Sequence, residues 1–353
     1  MAKRSKRKNG MKKLEPAVSS LYYKTDSFVG SRAITFDLFR DLSVVNRRFY
    51  RQGNHLAVES IEILTVGGMT GGASVTRIPM TWVSTEGYKK AFRAWQRMNR
   101  ESLEMAESVR PRFLDFKIFM DTIHHGSQLP TDPNYVIPME LTPRVIGAGG
   151  TPEATMGEWT YSKVYIPQAY NLTPAAGTDN LVPTNLMAVG PSWPGVGVTG
   201  DDAVSIIEGY AASRALPYAE DPNSPSDADD VSGPTPENWI SAIFNDGETQ
   251  DAAVLDDMIG ENNQAPYPYE GDGVHTDTFY PGGANQLNGL ELIDIGYISG
   301  TTVGGKTRLK GGVFPSGLLR LNLNQEMEAT TVIKINLMHG GHRGYLAESN
   351  LEA

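Results

Sequence analysis

The feature that most constrains this chain is a period of two that keeps restarting. Leu319, Leu321 and Leu323 alternate with Arg320, Asn322 and Asn324, and Ile333, Ile335 and Leu337 alternate with Val332, Lys334 and Asn336. Each such run carries one apolar face, and that face must be covered by a second layer. Runs of the same kind recur at Ile34–Leu38, Leu56–Val66, Val75–Val83, Leu114–Met120, Trp159–Ile166, Asn185–Val189, Leu290–Ser299 and Lys306–Phe314. Gly- and Pro-rich connections such as Leu129–Pro133 and Gly147–Pro152 separate them. Pro79 puts its run at an edge or a bulge. No fixed repeat is present, which excludes propellers and solenoids. The expected class is mainly β, with an antiparallel two-sheet sandwich or barrel as the architecture.

One helix interrupts the pattern, over about Glu86–Glu107. At 100° per residue Tyr88, Phe92, Trp95, Met98, Ser102 and Ala106 share a face, and Lys89, Lys90, Arg93, Arg97 and Arg100 share the opposite one. Ser84 or Thr85 is placed to cap it and Pro111 to stop it. The basic face is a candidate for secondary phosphate contacts, beside its plain reading as a solvated helix face.

Charge divides the 353 residues into three parts. Residues 1–13 carry seven bases and no acid: Lys3, Arg4, Lys6, Arg7, Lys8, Lys12 and Lys13. Residues 201–277 carry 18 acids against Arg214 alone, and the remainder balances at 23 of each sign. A basic arm of this density cannot bury itself and is suited to neutralising phosphates. It holds no aromatic residue, so charge rather than base stacking is its mode. Lys3-Arg4-Ser5-Lys6-Arg7-Lys8 also fits a nuclear localisation signal. The acidic block has helix-like stretches at Ala203–Leu216 and Glu237–Ile259, split by an exposed low-complexity run at Glu220–Pro236.

Other chemistries find little footing. With no cysteine, disulfides, thiol nucleophiles and cysteine-based zinc sites are excluded. No apolar run reaches the ~18 residues of a membrane-spanning helix, and no secretory leader is expected. Gly195-Val196-Gly197-Val198-Thr199-Gly200 spells a dinucleotide fingerprint without the preceding strand, and Asp201-Asp202 would repel a pyrophosphate. His124-His125 and His339-Gly340-Gly341-His342 lack a third ligand at metal spacing, so no metal or cofactor is expected. Asp115 and Glu158 are the only carboxylates suited to a glycosidase pair, and both read more simply as outward-facing strand residues. No enzyme activity is expected.

The terminal basic arm, the cysteine-free body of short strands and the acidic insertion together resemble the capsid proteins of small circular Rep-encoding single-stranded DNA viruses. Arg112-Phe113-Leu114-Asp115-Phe116-Lys117, Gly157-Glu158-Trp159-Thr160-Tyr161-Ser162 and Phe314-Pro315-Ser316-Gly317-Leu318-Leu319-Arg320 look like segments of those capsids. The resemblance implies a viral jelly roll with one amphipathic helix and a partly helical acidic insertion. It implies a subunit that binds copies of itself into an icosahedral shell and packages single-stranded nucleic acid, DNA by the resemblance, on the arm. The virion, with the host nucleus during assembly, is the implied location; a host receptor is implied without a binding site, and no membrane is. The layout expected is an arm at 1–20, a shell domain at 21–200 and 278–345, an acidic surface insertion at 201–277 and a tail at 346–353. A carbohydrate-binding or glycosidase-like β-sandwich, and a spike or decoration protein of a larger virus, are the alternatives.

Overall fold

The computed structural model describes residues 17–104, 115–127, 132–139, 154, 158–167, 181–190, 202–215, 239–244, 253–254, 257, 261, 289–300 and 305–351. In chain order the elements are β1 (Ser20–Lys24), β2 (Phe28–Asp37), α1 (Leu38–Asn46), β3 (Asn54–Leu64), β4 (Gly71–Arg77), α2 (Trp82–Glu104) and α3 (Thr122–Gly126). There follow β5 (Lys163–Pro167), β6 (Leu181–Met187), β7 (Asp202–Ser205), α4 (Ile206–Ala215) and α5 (Trp239–Ala242). The chain closes with β8 (Glu291–Ile298), β9 (Lys306–Phe314), β10 (Leu318–Ala329), β11 (Val332–Leu337), β12 (His339–Gly340), β13 (Gly344–Tyr345) and β14 (Ala347–Ser349).

The protein is mainly β, and its two largest sheets are antiparallel. In one, β1 pairs with β11, β11 with β3, and β3 with both β9 and β14. In the other the order is β2, β10, β4, β8. Register explains the core. Leu21, Ile335, Ile61 and Leu309 form a row across the first sheet, and Ile34, Leu321 and Val75 a row across the second. All seven are buried and belong to one apolar cluster, so the two sheets cover each other. Burying each such side chain is worth roughly 1.5–3 kcal/mol. This is the arrangement of a sandwich.

A second core lies in the connection between β4 and β8. It joins α2, Phe116, Ile118, Met120, β5, β6, β7, α4 and α5. β6 pairs antiparallel with β5 and parallel with β7. Gly87 of α2 lets α4 come close: a Cβ there would sit 3.2 Å from Ile206 Cγ2. Trp239 is fully buried, its Nε1 donating to Ser205 O at 3.0 Å. The expected domain cut at 201 therefore passes through one continuous core. The Gly195–Gly200 loop and the run Glu220–Pro236 lie outside the described residues.

Local differences from the sequence expectations have clear causes. The alternation through Leu38 ends at Asp37, whose carboxylate accepts from Arg40 N at 3.1 Å and caps α1. The helix α2 starts earlier than expected because Thr81 Oγ1 takes the Ser84 amide; Pro79 and Val83 thus fall outside β4. The described part of the Leu114–Met120 run is extended, with one isolated bridge between Phe119 and Met187. Its other face is buried as well, because Phe119 stacks on Tyr161 at 3.9 Å. Residues 347–349 of the expected tail form β14 on β3. Among the described residues no helix is long and apolar enough to cross a membrane.

Candidate functional site

A cavity of about 900 Å³ opens where the two cores meet. From the second core α2 contributes Tyr88, Phe92, Trp95 and Arg100, and the extended segment after it contributes Asp115 and Phe116. From segments flanking the strands of the first core come Phe49, Arg51 and Gly53 before β3, His342 and Arg343 between β12 and β13, and Leu351 beyond β14. Phe116 organises the floor, its ring 5.4 Å from Tyr88, 5.5 Å from Phe92 and 5.4 Å from Trp95 between centroids. Tyr88, Trp95 and Phe116 are buried, whereas Arg51, Arg100 and Arg343 are exposed. The cavity thus has an aromatic floor and a cationic rim.

The rim is held by backbone geometry. Arg343 sits at φ +50°, in the left-handed region that non-glycine residues seldom occupy. Its guanidinium donates to Phe49 O, and its carbonyl accepts from Tyr50 OH at 3.2 Å. Asp115 pairs with Lys117 at 3.4 Å, and burial, opposed by Lys117, raises its carboxyl above the ordinary range. The start of the described chain is tied to the same place. Tyr345 OH donates to Val18 O at 2.8 Å, and Val18 N donates to Asn46 Oδ1 at 3.0 Å.

Beneath the cavity a buried polar network joins the cores. Asp37 Oδ2 accepts from Gln52 Nε2 at 3.3 Å, Trp159 Nε1 at 3.1 Å and Tyr161 OH at 3.1 Å. Burial, opposed by Arg40 and reinforced by Asp41, lifts its pKa to about 6. Arg40 Nε donates to Asp41 Oδ1 at 2.9 Å, and Tyr23 OH to Asp41 Oδ2 at 2.6 Å. His124 Nδ1 takes the Met120 amide at 3.0 Å, so the ring proton is on Nε2, 3.3 Å from Tyr161 OH. Burial, then Arg40 and Arg320, hold His124 well below its usual pKa and keep it neutral. Arg320 donates to Asp121 Oδ1 and to Thr35 Oγ1, both at 2.5 Å.

The sequence candidates fall as follows. Lys3, Arg4, Lys6, Arg7, Lys8, Lys12 and Lys13 lie outside the described residues. On α2, Lys89 pairs with Glu86 and Arg97 with Glu101, both at 2.9 Å. Lys90 Nζ donates to Ser213 Oγ of α4 at 2.5 Å, and Arg97 lies over the Phe244 ring at 4.0 Å. Arg93 and Arg100 are exposed, and of the five only Arg100 lines the cavity. Of the basic stripe, Lys90 and Arg97 thus seat α2 against α4 and the residues after α5. Glu158 is exposed, and Asp115 is half-buried, its side chain turned in beside Lys117 rather than outward. His124 and His125 are buried hydrogen-bonding residues, the latter 3.1 Å from Asn185 Nδ2. Sequence reasoning missed the cavity and the Asp37 network; Asp37 just before Leu38-Phe39 and Leu42 was the available capping signal. No protein family, no curated protein and no solved structure matches this chain.

Proposed function

We propose that the chain is a viral capsid subunit of the jelly-roll type, one that assembles with its own copies into an icosahedral shell and packages a single-stranded genome on its basic N-terminal arm. The observation that carries this reading is the pairing order of eight of the nine strands in the two main sheets, β14 being the short addition at the end of the chain. Taken in chain order, the first pairs with the eighth (β1 with β11), the second with the seventh (β2 with β10), the third with the sixth (β3 with β9) and the fourth with the fifth (β4 with β8). That order is the one expected of a long hairpin rolled on itself, and it supports the double Greek key of jelly rolls, which serve as capsid and lectin domains. The seven bases of residues 1–13 favour a shell over a saccharide-binding module.

Two further observations agree with it. Apart from Leu318, the buried residues of the second core fall between the fourth and fifth strands, and the longest of the other connections is the one that carries α1. On β8, a bulge at Ile293 turns Leu292, Ile295 and Tyr297 outward, 57%, 60% and 81% exposed. Such apolar exposure on a strand suits burial between neighbouring subunits. Purified protein should give particles of uniform size by negative-stain microscopy, with a 260/280 nm absorbance ratio raised by packaged nucleic acid. A chain that stays monomeric at every salt and pH, with or without nucleic acid, overturns the reading.

A further inference from the structure

We propose that the cavity between α2 and the β12–β13 hairpin binds unpaired nucleotides of a single strand, with a base against the floor of Phe92, Trp95 and Phe116 and phosphates against Arg51, Arg100 and Arg343. The inference rests on the shell reading for its ligand, and it adds a base-contacting site to a chain whose arm offers charge alone. Its size fits: about 900 Å³ lies within the ~300–1,000 Å³ of pockets that enclose small ligands. Its chemistry fits too. A buried aromatic floor under an exposed guanidinium rim matches a ligand that is flat and apolar at one end and anionic at the other. Proteins that bind single strands combine those two elements, stacking bases on aromatic rings beside a cationic track. A paired base, stacked within a duplex, has no free edge or face to enter.

Charge complementarity survives the two acids on the wall. Asp115 is already paired with Lys117 at 3.4 Å. Glu104 shares the lining with three arginines. The point where the arm joins the described chain then favours a strand over a free nucleotide. Val18 is bonded to Tyr345, two residues beyond Arg343, and Tyr50 bridges to Arg343 O. Lys13 is four residues before Ala17, a reach of at most ~14 Å along an extended chain. The last bases of the arm are therefore tethered within reach of the rim, where one strand can contact both.

The test uses the full-length chain and a variant in which the seven bases of residues 1–13 are changed to Gln. Both are titrated with fluorescein-labelled dT10, read by anisotropy, and with dTMP, read by tryptophan fluorescence. The arm variant should still bind dT10, with quenched tryptophan emission and a log–log salt slope near 2, from about three phosphates. Adding Arg100→Glu should weaken that residual binding about tenfold without moving the thermal midpoint. Trp95→Phe should keep binding while removing most of the quench. Loss of all dT10 binding on neutralising the arm, or unchanged affinity in Arg100→Glu, overturns the site. Saturable quenching by dTMP at the affinity of dT10 would make the ligand a free nucleotide and overturn the strand. None of these outcomes bears on particle formation, so the shell reading stands or falls separately.

Discussion

Replacing Asp37 with Asn should change stability by an amount that depends on pH, because the Asp37 carboxyl is buried and its pKa is raised from 3.8 to about 6. Burial is the main cause; Arg40 opposes it and Asp41 adds to it. The folded chain therefore holds this proton more tightly than the unfolded chain. Its contribution to stability is absent above pH 6, grows as the pH falls, and is complete below 3.8. The full span is roughly 3 kcal/mol. Relative to pH 7.5, wild type should gain on Asp37→Asn by about 1.4 kcal/mol at pH 5 and about 2.4 kcal/mol at pH 4.

His124 works in the opposite direction. Its pKa is lowered by burial, so stability falls as the pH drops below its ordinary 6.5. It is common to both proteins and cancels in the difference. The offset at any single pH mixes altered hydrogen bonds with the titration; only its drift with pH belongs to Asp37. Urea unfolding at pH 7.5, 5 and 4, followed by tryptophan emission, measures that drift, with Trp159 bonded to Asp37 at 3.1 Å as a local reporter. A difference constant within about 0.5 kcal/mol over this range, or one that drifts the other way, would refute the reasoning.

Other perturbations test other parts. Deleting residues 2–13 should leave the body folded and flatten the salt slope of single-strand binding by about 5, from seven charges at ~0.7 each; filter binding across a salt series checks it. Arg320→Met leaves Asp121 buried without its cation and should cost about 3–5 kcal/mol, while adding Asp121→Asn should recover most of the loss in urea melts. Gly317→Ala puts a Cβ 2.5 Å from the Phe39 ring at φ +65°, and should cost roughly 1–3 kcal/mol in thermal unfolding.

The sandwich was legible because a strand buried on one face writes its period into the sequence. β9 runs from Lys306 to Phe314 as the alternation and flanking glycines imply, and Leu319, Leu321 and Leu323 are all buried. The helix α2 was legible for the same reason at a different period. What failed was the boundary between periods: Ile34, Phe36 and Leu38 keep alternating although Asp37 already caps a helix. Residues 116–120 misled in another way, since both faces are buried and the chain runs extended without a full ladder. The cavity and the Asp37 network had no signature at all. Their members come from positions 37, 52, 88–100, 115–124, 159–161, 320 and 343, and nothing in local spacing connects them. Asp115 was singled out as a carboxylate on an outward strand face, and it matters instead as a half-buried wall residue.

The position of the polar network gives it a consequence for the cavity. An apolar contact between the cores would tolerate sliding, because hydrophobic burial has no direction. Asp37 instead fixes Gln52, Trp159 and Tyr161 to one carboxylate, and Gln52 also exchanges two hydrogen bonds with Ile118, at 2.6 Å and 3.0 Å. Gln52 lies between Arg51 and Gly53 on the cavity wall, and Ile118 lies two residues beyond Phe116 on its floor. The bond that docks one core on the other thus also sets the distance from rim to floor. A buried polar contact is a poor way to gain stability, and here it positions an arginine rim over an aromatic floor supplied by a different part of the chain. Changing Gln52 to Leu would keep the volume and lose these bonds, and with them the alignment of rim and floor.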